Sequence, residues 1–136
     1  MPSELRFVYG MTVLAALIGV ASVAGVYYQD IAQARTHAEA MTGGSVQAGK
    51  AAIGRYNCGA CHRISGIGAA AGVAGPALNG IATRSFIAGM RPNDPANLER
   101  WIQHPQQVVP GTAMPDQGVT PQDARDIAAY LYTLRR

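Results

Sequence analysis

Cys58, Cys61 and His62 stand together in "YNCGACHRI" (residues 56–64), and these are the only two cysteines of the chain. A Cys-x-x-Cys pair can serve as a redox couple, as half of a zinc site, as a short disulfide or, with histidine directly after it, as the attachment motif of a c-type haem. The redox couple calls for a strand before it and a strand–helix–strand setting, and the neighbouring sequence offers neither. A structural zinc takes four ligands, and outside the motif only His37 and His104 remain. A disulfide across two intervening residues closes a very small loop and constrains the unfolded chain little. Haem attachment fits: on a single helical turn two thiols reach the two vinyl groups while the adjacent imidazole addresses the iron.

Iron held in this way wants a sixth ligand, and the candidates are Met41, Met90, Met114, His37 and His104. Met114 stands out because it lies in "VVPGTAMPDQG", where Pro110, Gly111 and Pro115 impose an irregular loop able to lay a thioether against a flat ligand. A gap-filling methionine in the core is the competing reading, and spacing alone does not separate the two.

The elements that position these groups begin with a membrane segment. From Phe7 to Tyr28 there is no charged residue, and at about 1.5 Å per residue the run extends roughly 33 Å, enough to cross a bilayer. Tyr9 and the Tyr27-Tyr28 pair suit the two interfaces, and Arg6 gives a weak signal for a cytoplasmic amino terminus. A cleaved leader with a processing site near Ser22-Val23-Ala24 is the alternative, but the apolar run exceeds the usual leader core, so a retained anchor is expected. "QDIAQARTHAEAM" (29–41) is alanine-rich without Gly or Pro and extends the helix as a stalk. It is expected to stop at "TGGS", a short flexible hinge, giving an anchor over 1–28, a stalk and hinge over 29–44 and one small domain over 45–136.

Within that domain Ser45 can cap a helix that begins near Val46 and runs up to the cysteines. A Gly/Ala/Pro-rich region follows over 66–80, then a short helix at "NLERWIQHP" with Asn97 as cap, Leu98, Trp101 and Ile102 as apolar face and Pro105 as limit. The last helix has the clearest signals: Thr120 as cap, Pro121 at its first position, Asp123 in the first turn and Arg135-Arg136 at the end, with Ile127, Tyr130, Leu131 and Leu134 as buried stripe. Strand alternation is almost absent, so the expected class is all-α. A formal net charge of +3 without a basic run or an aromatic-interleaved patch argues against nucleic acid as a partner and favours an acidic protein surface. Arg55, Arg63, Arg84 and Arg91 could form the rim that meets it.

From about Ala48 to Leu134 the chain resembles class I cytochromes c of the bacterial, membrane-anchored or complex-associated kind. The resemblance rests on "GKAAIGRYNCGACH", "GPALNGIATR", "LERWIQHPQQVVPGTAMP" and "VTPQDARDIAAYLYTLR". It implies a small helical domain around one covalent c-type haem, behind an N-terminal transmembrane helix. It further implies thioether bonds to Cys58 and Cys61, His62 as proximal and Met114 as distal ligand, the Pro76 carbonyl on the other ring nitrogen of His62, and Trp101 packed beside the haem. The helix bearing Gly49 and Tyr56 would cross the last helix near Tyr130 and Leu131. His/Met ligation saturates the iron and raises its potential, which implies electron transfer rather than catalysis.

The location implied is a bacterial inner membrane, single-pass, with the haem domain on the periplasmic side. The partners implied are the lipid bilayer and membrane redox proteins: a terminal oxidase, a quinol-oxidising complex or dehydrogenase subunits. A fixed haem subunit is the preferred reading because the hinge is short, and the small-residue pairs Ala15/Gly19 and Ala21/Gly25 offer packing positions for another membrane helix. A tethered carrier shuttling between complexes is the alternative. A haem enzyme or gas sensor with a labile Met114 stands behind both.

Overall fold

Apolar composition dictates the first element. In the computed structural model, which describes residues 2–135, helix α1 spans Ser3–Thr42 and is long and apolar enough to cross a membrane. Along its apolar stretch every side chain is exposed, and Thr12 returns its hydroxyl to Val8 O at 2.6 Å, so this polar group is satisfied within the helix. The chain divides into two compact units after Gln33, and the second unit therefore includes the last turns of α1.

Those last turns are held firmly. Ala38 and Thr42 are buried, Thr42 Oγ1 donates to Ala38 O and accepts from Gly44 N, and Gly43 ends the helix at φ 66°, a left-handed turn. Gly44 presses on the backbone of Arg125 and Asp126, Ser45 N donates to Asp126 Oδ1 at 2.7 Å, and Val46 N donates to Glu39 Oε1 at 3.0 Å. The Val46 amide, then Arg35, holds the Glu39 carboxyl below its ordinary range. At 42–45, where a flexible hinge is expected, Gly44 N and Ser45 N are engaged and Gly44 is packed on α5 (Pro121–Tyr132), and the compact unit starts at Ala34 where the domain is expected from Ser45.

Helix α2 (Val46–Arg55) starts where expected, with Ser45 Oγ accepting from Ala48 N. It stops short of the cysteines because Asn57 turns into the left-handed region at φ 53°. Helix α5 (Pro121–Tyr132) is capped by Thr120, whose Oγ1 accepts from Asp123 N at 3.1 Å. Its Ala124, Ile127, Ala128 and Leu131 are buried, and the small residues among them let α2 approach closely. The contact lies at Gly49, where a Cβ would run into Asp126 O and sit 3.0 Å from Ile127 N. The crossing is therefore one turn nearer the start of α5 than the Tyr130–Leu131 level expected. Tyr130 instead sends its hydroxyl to Ser65 O at 2.6 Å. Leu134 is buried just beyond the helix, and Arg136, expected at its end, lies outside the described residues.

Between α2 and α5 the chain forms two 3-10 turns (Cys58–Ala60 and Ile81–Thr83), a minimal antiparallel hairpin of β1 (Phe86–Ile87) and β2 (Arg91–Pro92), helix α3 (Pro95–Gln103) and the single turn α4 (Pro105–Val108). The hairpin departs from an all-helical domain, although two residues per strand leave the architecture predominantly α. Helix α3 is capped by Asp94, whose Oδ1 accepts from Asn97 N at 2.8 Å. Asn97, expected as the cap, is already inside the first turn, because Pro95 sits at the first helical position and needs no amide partner. Leu98 and Ile102 are buried, with Trp101 half-buried beside them.

Candidate functional site

The attachment motif is wound on one carbonyl. Cys58 O accepts from Cys61 N at 3.2 Å and from His62 N at 3.0 Å, which turns the three side chains toward one wall. The glycine-rich region after it is sewn along the motif: Gly72 N donates to Gly59 O at 3.0 Å, Gly75 N to Cys61 O at 2.8 Å and Leu78 N to Arg63 O at 2.9 Å. This brings Pro76 O to 2.7 Å from His62 Nδ1. A carbonyl can only accept, so the proton sits on Nδ1 and the Nε2 lone pair is left available. Gly75 lies flat against the same ring: a Cβ there would stand 2.7 Å from Nδ1.

Cys58, Cys61, His62 and Met114 all line one cavity of about 280 Å³. Its walls are mainly apolar, with Ile53 from α2, Leu98 and Trp101 from α3, and Ile127 and Leu131 from α5. Neither cysteine is bonded to another sulfur. Burial pushes the Cys58 thiol above its ordinary range, the opposite of what an activated redox thiolate needs. Of the other candidates for a sixth ligand, Met41, Met90, His37 and His104 are exposed and stand outside the lining. Among the described residues no group of three or more His, Cys, Asp or Glu is arranged to hold a metal ion by itself. The donor set therefore suits a metal that arrives inside a planar, apolar ligand: two thiols for covalent attachment, an imidazole of fixed tautomer, a thioether and an apolar slot.

The four arginines considered as a rim separate. Arg84 alone lines the cavity, and its guanidinium donates to Ala77 O and to Asn79 O. Arg63 and Arg91 are exposed. Arg55 pairs with Asp123 at 2.5 Å on the α2–α5 crossing.

Two residues that sequence reasoning passed over support the site. Gln106 binds the loop carrying Met114, and no sequence signal marks it. Asp123, read only as a first-turn acid, accepts from Tyr56 Oη at 2.8 Å, Thr120 Oγ1 at 3.0 Å and Arg55. The Tyr56 hydrogen bond first, then Thr120 and Arg55, hold its carboxyl below the ordinary range. Folding thus favours the ionised form: the contribution is complete above the unfolded value, near about 4, and is lost as pH falls through the lower folded value. Unfolding free energies measured against pH should show Asp123→Asn less stable than the parent at pH 7, with the gap closing below about pH 4. A gap independent of pH would remove this role.

Fold and site together define a small helical haem domain of the c type. The chain belongs to the cytochrome c family, whose model, described as "Cytochrome c", matches residues 46–135. The family carries electrons on covalently bound c-type haem, and a single haem is typical of a domain this small. Over 88 residues the chain is 35% identical to a cytochrome c oxidase subunit 2 of Alkalihalophilus pseudofirmus, covering 64% of this chain and 25% of that protein. It spans only a quarter of that relative's length. Cytochrome c2 of Rhodoblastus acidophilus is 40% identical over 89 residues, 54% of this chain and 79% of that protein. Cytochrome c2 of Rhodomicrobium vannielii is 35% identical over 91 residues, 56% of this chain and 70% of that protein. No solved structure matches the chain.

Proposed function

We propose that the chain is a membrane-bound haem c subunit of a respiratory oxidoreductase complex. Its one haem is attached through Cys58 and Cys61, with His62 as proximal and Met114 as distal ligand. The observation that carries this reading is the convergence of those four side chains on one largely apolar cavity. When bound, the haem supplies a one-electron couple, which His/Met ligation places at higher potential. Around it, the Pro76 carbonyl keeps the His62 proton on Nδ1 and Gly75 fixes the ring plane. Ile53, Leu98, Ile127 and Leu131 exclude water, and Trp101 closes part of the same wall. His62 and Met114 would both be held to the iron by the chain itself, which would leave no place there for a substrate and favours electron transfer over catalysis.

Helix α1 serves as the single span in a bacterial inner membrane, with the haem domain on the periplasmic side. A fixed subunit is preferred over a shuttle because a carrier that visits separate complexes needs slack in its tether. Here Gly44 and Ser45 are fastened to α5. Similarity to an oxidase subunit 2 points the same way. The test is mild-detergent solubilisation of native membranes, purification through a C-terminal tag, and a protein inventory with haem quantitation. Stoichiometric recovery with large membrane subunits is the expected result. A lone haem protein that still reduces an oxidase would replace this reading with the tethered shuttle.

A further inference from the structure

The loop that carries Met114 has little of its own to hold it. Gly111, Ala113 and Pro115 are exposed, and Thr112 N makes only a local turn bond to Val109 O at 3.1 Å. Its fastening comes from one side chain on α4. Gln106 Nε2 donates to Thr112 O at 2.8 Å and to Met114 O at 2.7 Å, and Gln106 Oε1 accepts from Gly111 N at 3.3 Å. Both amide hydrogens and the amide oxygen are therefore spent on three residues of the loop, Gly111, Thr112 and Met114. The amide orientation is unambiguous, since the reverse would set Oε1 against two acceptors. Among the described residues Thr112 O and Met114 O accept from no other donor. The platform is firm as well: Pro105, which opens α4, is fully buried.

We propose that Gln106 is the positioning residue of the Met114 loop, and that its amide sets how readily the thioether leaves the iron. This rests on Met114 as the distal ligand. Where the sulfur moves away together with its loop, Met114 O and Thr112 O give up both Gln106 bonds, so the side chain acts as a latch on that route of ligand exchange. Latching needs the two donors and not merely the volume. Gln106→Met keeps the length and removes all three bonds, and Gln106→Glu keeps the shape while facing two carbonyls with a carboxylate.

The test is the rate at which the ferric full-length holo-protein, in detergent, captures added imidazole, read together with the methionine-to-iron charge-transfer band and the thermal midpoint. Losing two ordinary hydrogen bonds raises the opened fraction by about tenfold. Gln106→Met and Gln106→Glu should therefore each capture imidazole about tenfold faster than the parent, with a weakened band and a nearly unchanged midpoint. Gln107→Ala, on the exposed neighbour, should match the parent. Either Gln106 variant suffices if the other does not accumulate. Parental capture rates in a Gln106 variant, beside a Met114→Ala protein whose iron is open, would overturn the latch and leave the ligand reading intact. If Met114→Ala itself captured imidazole no faster than the parent and kept the band, the ligand reading would fall and the latch with it.

Discussion

Gly49→Ala should destabilise the holo-protein by about 3 kcal/mol or more, at the upper end of what overpacking costs. The added Cβ would meet the carbonyl of Asp126 and the amide of Ile127. Both are backbone atoms in the middle of α5, so no rotamer change relieves the clash and the two helices must separate. Separation would also strain the Arg55–Asp123 pair and the Tyr56 hydrogen bond at the far end of the crossing. Gly54, on the same helix, is the control. A Cβ there meets nothing within 4 Å, so Gly54→Ala should stabilise by about 0.5–1 kcal/mol through helix propensity. Denaturant unfolding of both variants measures the contrast, and equal stabilities would show that α2 and α5 do not meet at Gly49.

Sequence reasoning reached the parts of this molecule that depend on neighbours along the chain. Ser45 and Thr120 cap because a hydroxyl before a helix finds an amide three residues on, and the haem motif is contained within five residues. Asp94 was equally readable, because Asp94-Pro95 repeats the pattern of Thr120-Pro121. What could not be read depends on distant partners. The bond from Ser45 N to Asp126 joins residues 81 apart, and it turns a glycine pair that looks flexible into a docked one. The hairpin at 86–92 was missed because two residues per strand cannot display alternation. Gln106 was missed for a related reason. Its partners lie close in sequence, but a side-chain amide that ties an irregular loop follows no periodicity.

The two proposed iron ligands, His62 and Met114, should respond differently to loss of their side chains. His62 belongs to the motif itself, with its amide on Cys58 O, its ring on Pro76 O and Gly75 beneath it. Nothing else on that wall can replace it, so His62→Ala should cut the yield of holo-protein at least about tenfold, since attachment and ligation start there. Met114 comes from an exposed loop more than fifty residues later, and the core beneath the cavity is built by α2, α3 and α5 without it. Met114→Ala should therefore still yield a folded haem protein. Its potential should drop by on the order of 0.1 V or more, within the roughly 0.8 V that axial ligands command, and its ferrous form should take up carbon monoxide. Potentiometry and absorption spectra of the two purified variants measure these effects. An unchanged spectrum in Met114→Ala would move the distal ligand elsewhere, with Met90 first to be tested even though it is exposed and outside the cavity lining. Ready uptake of carbon monoxide by the parent protein would favour a gas-binding or enzymatic haem, because a wired electron carrier keeps its sixth position closed in both oxidation states.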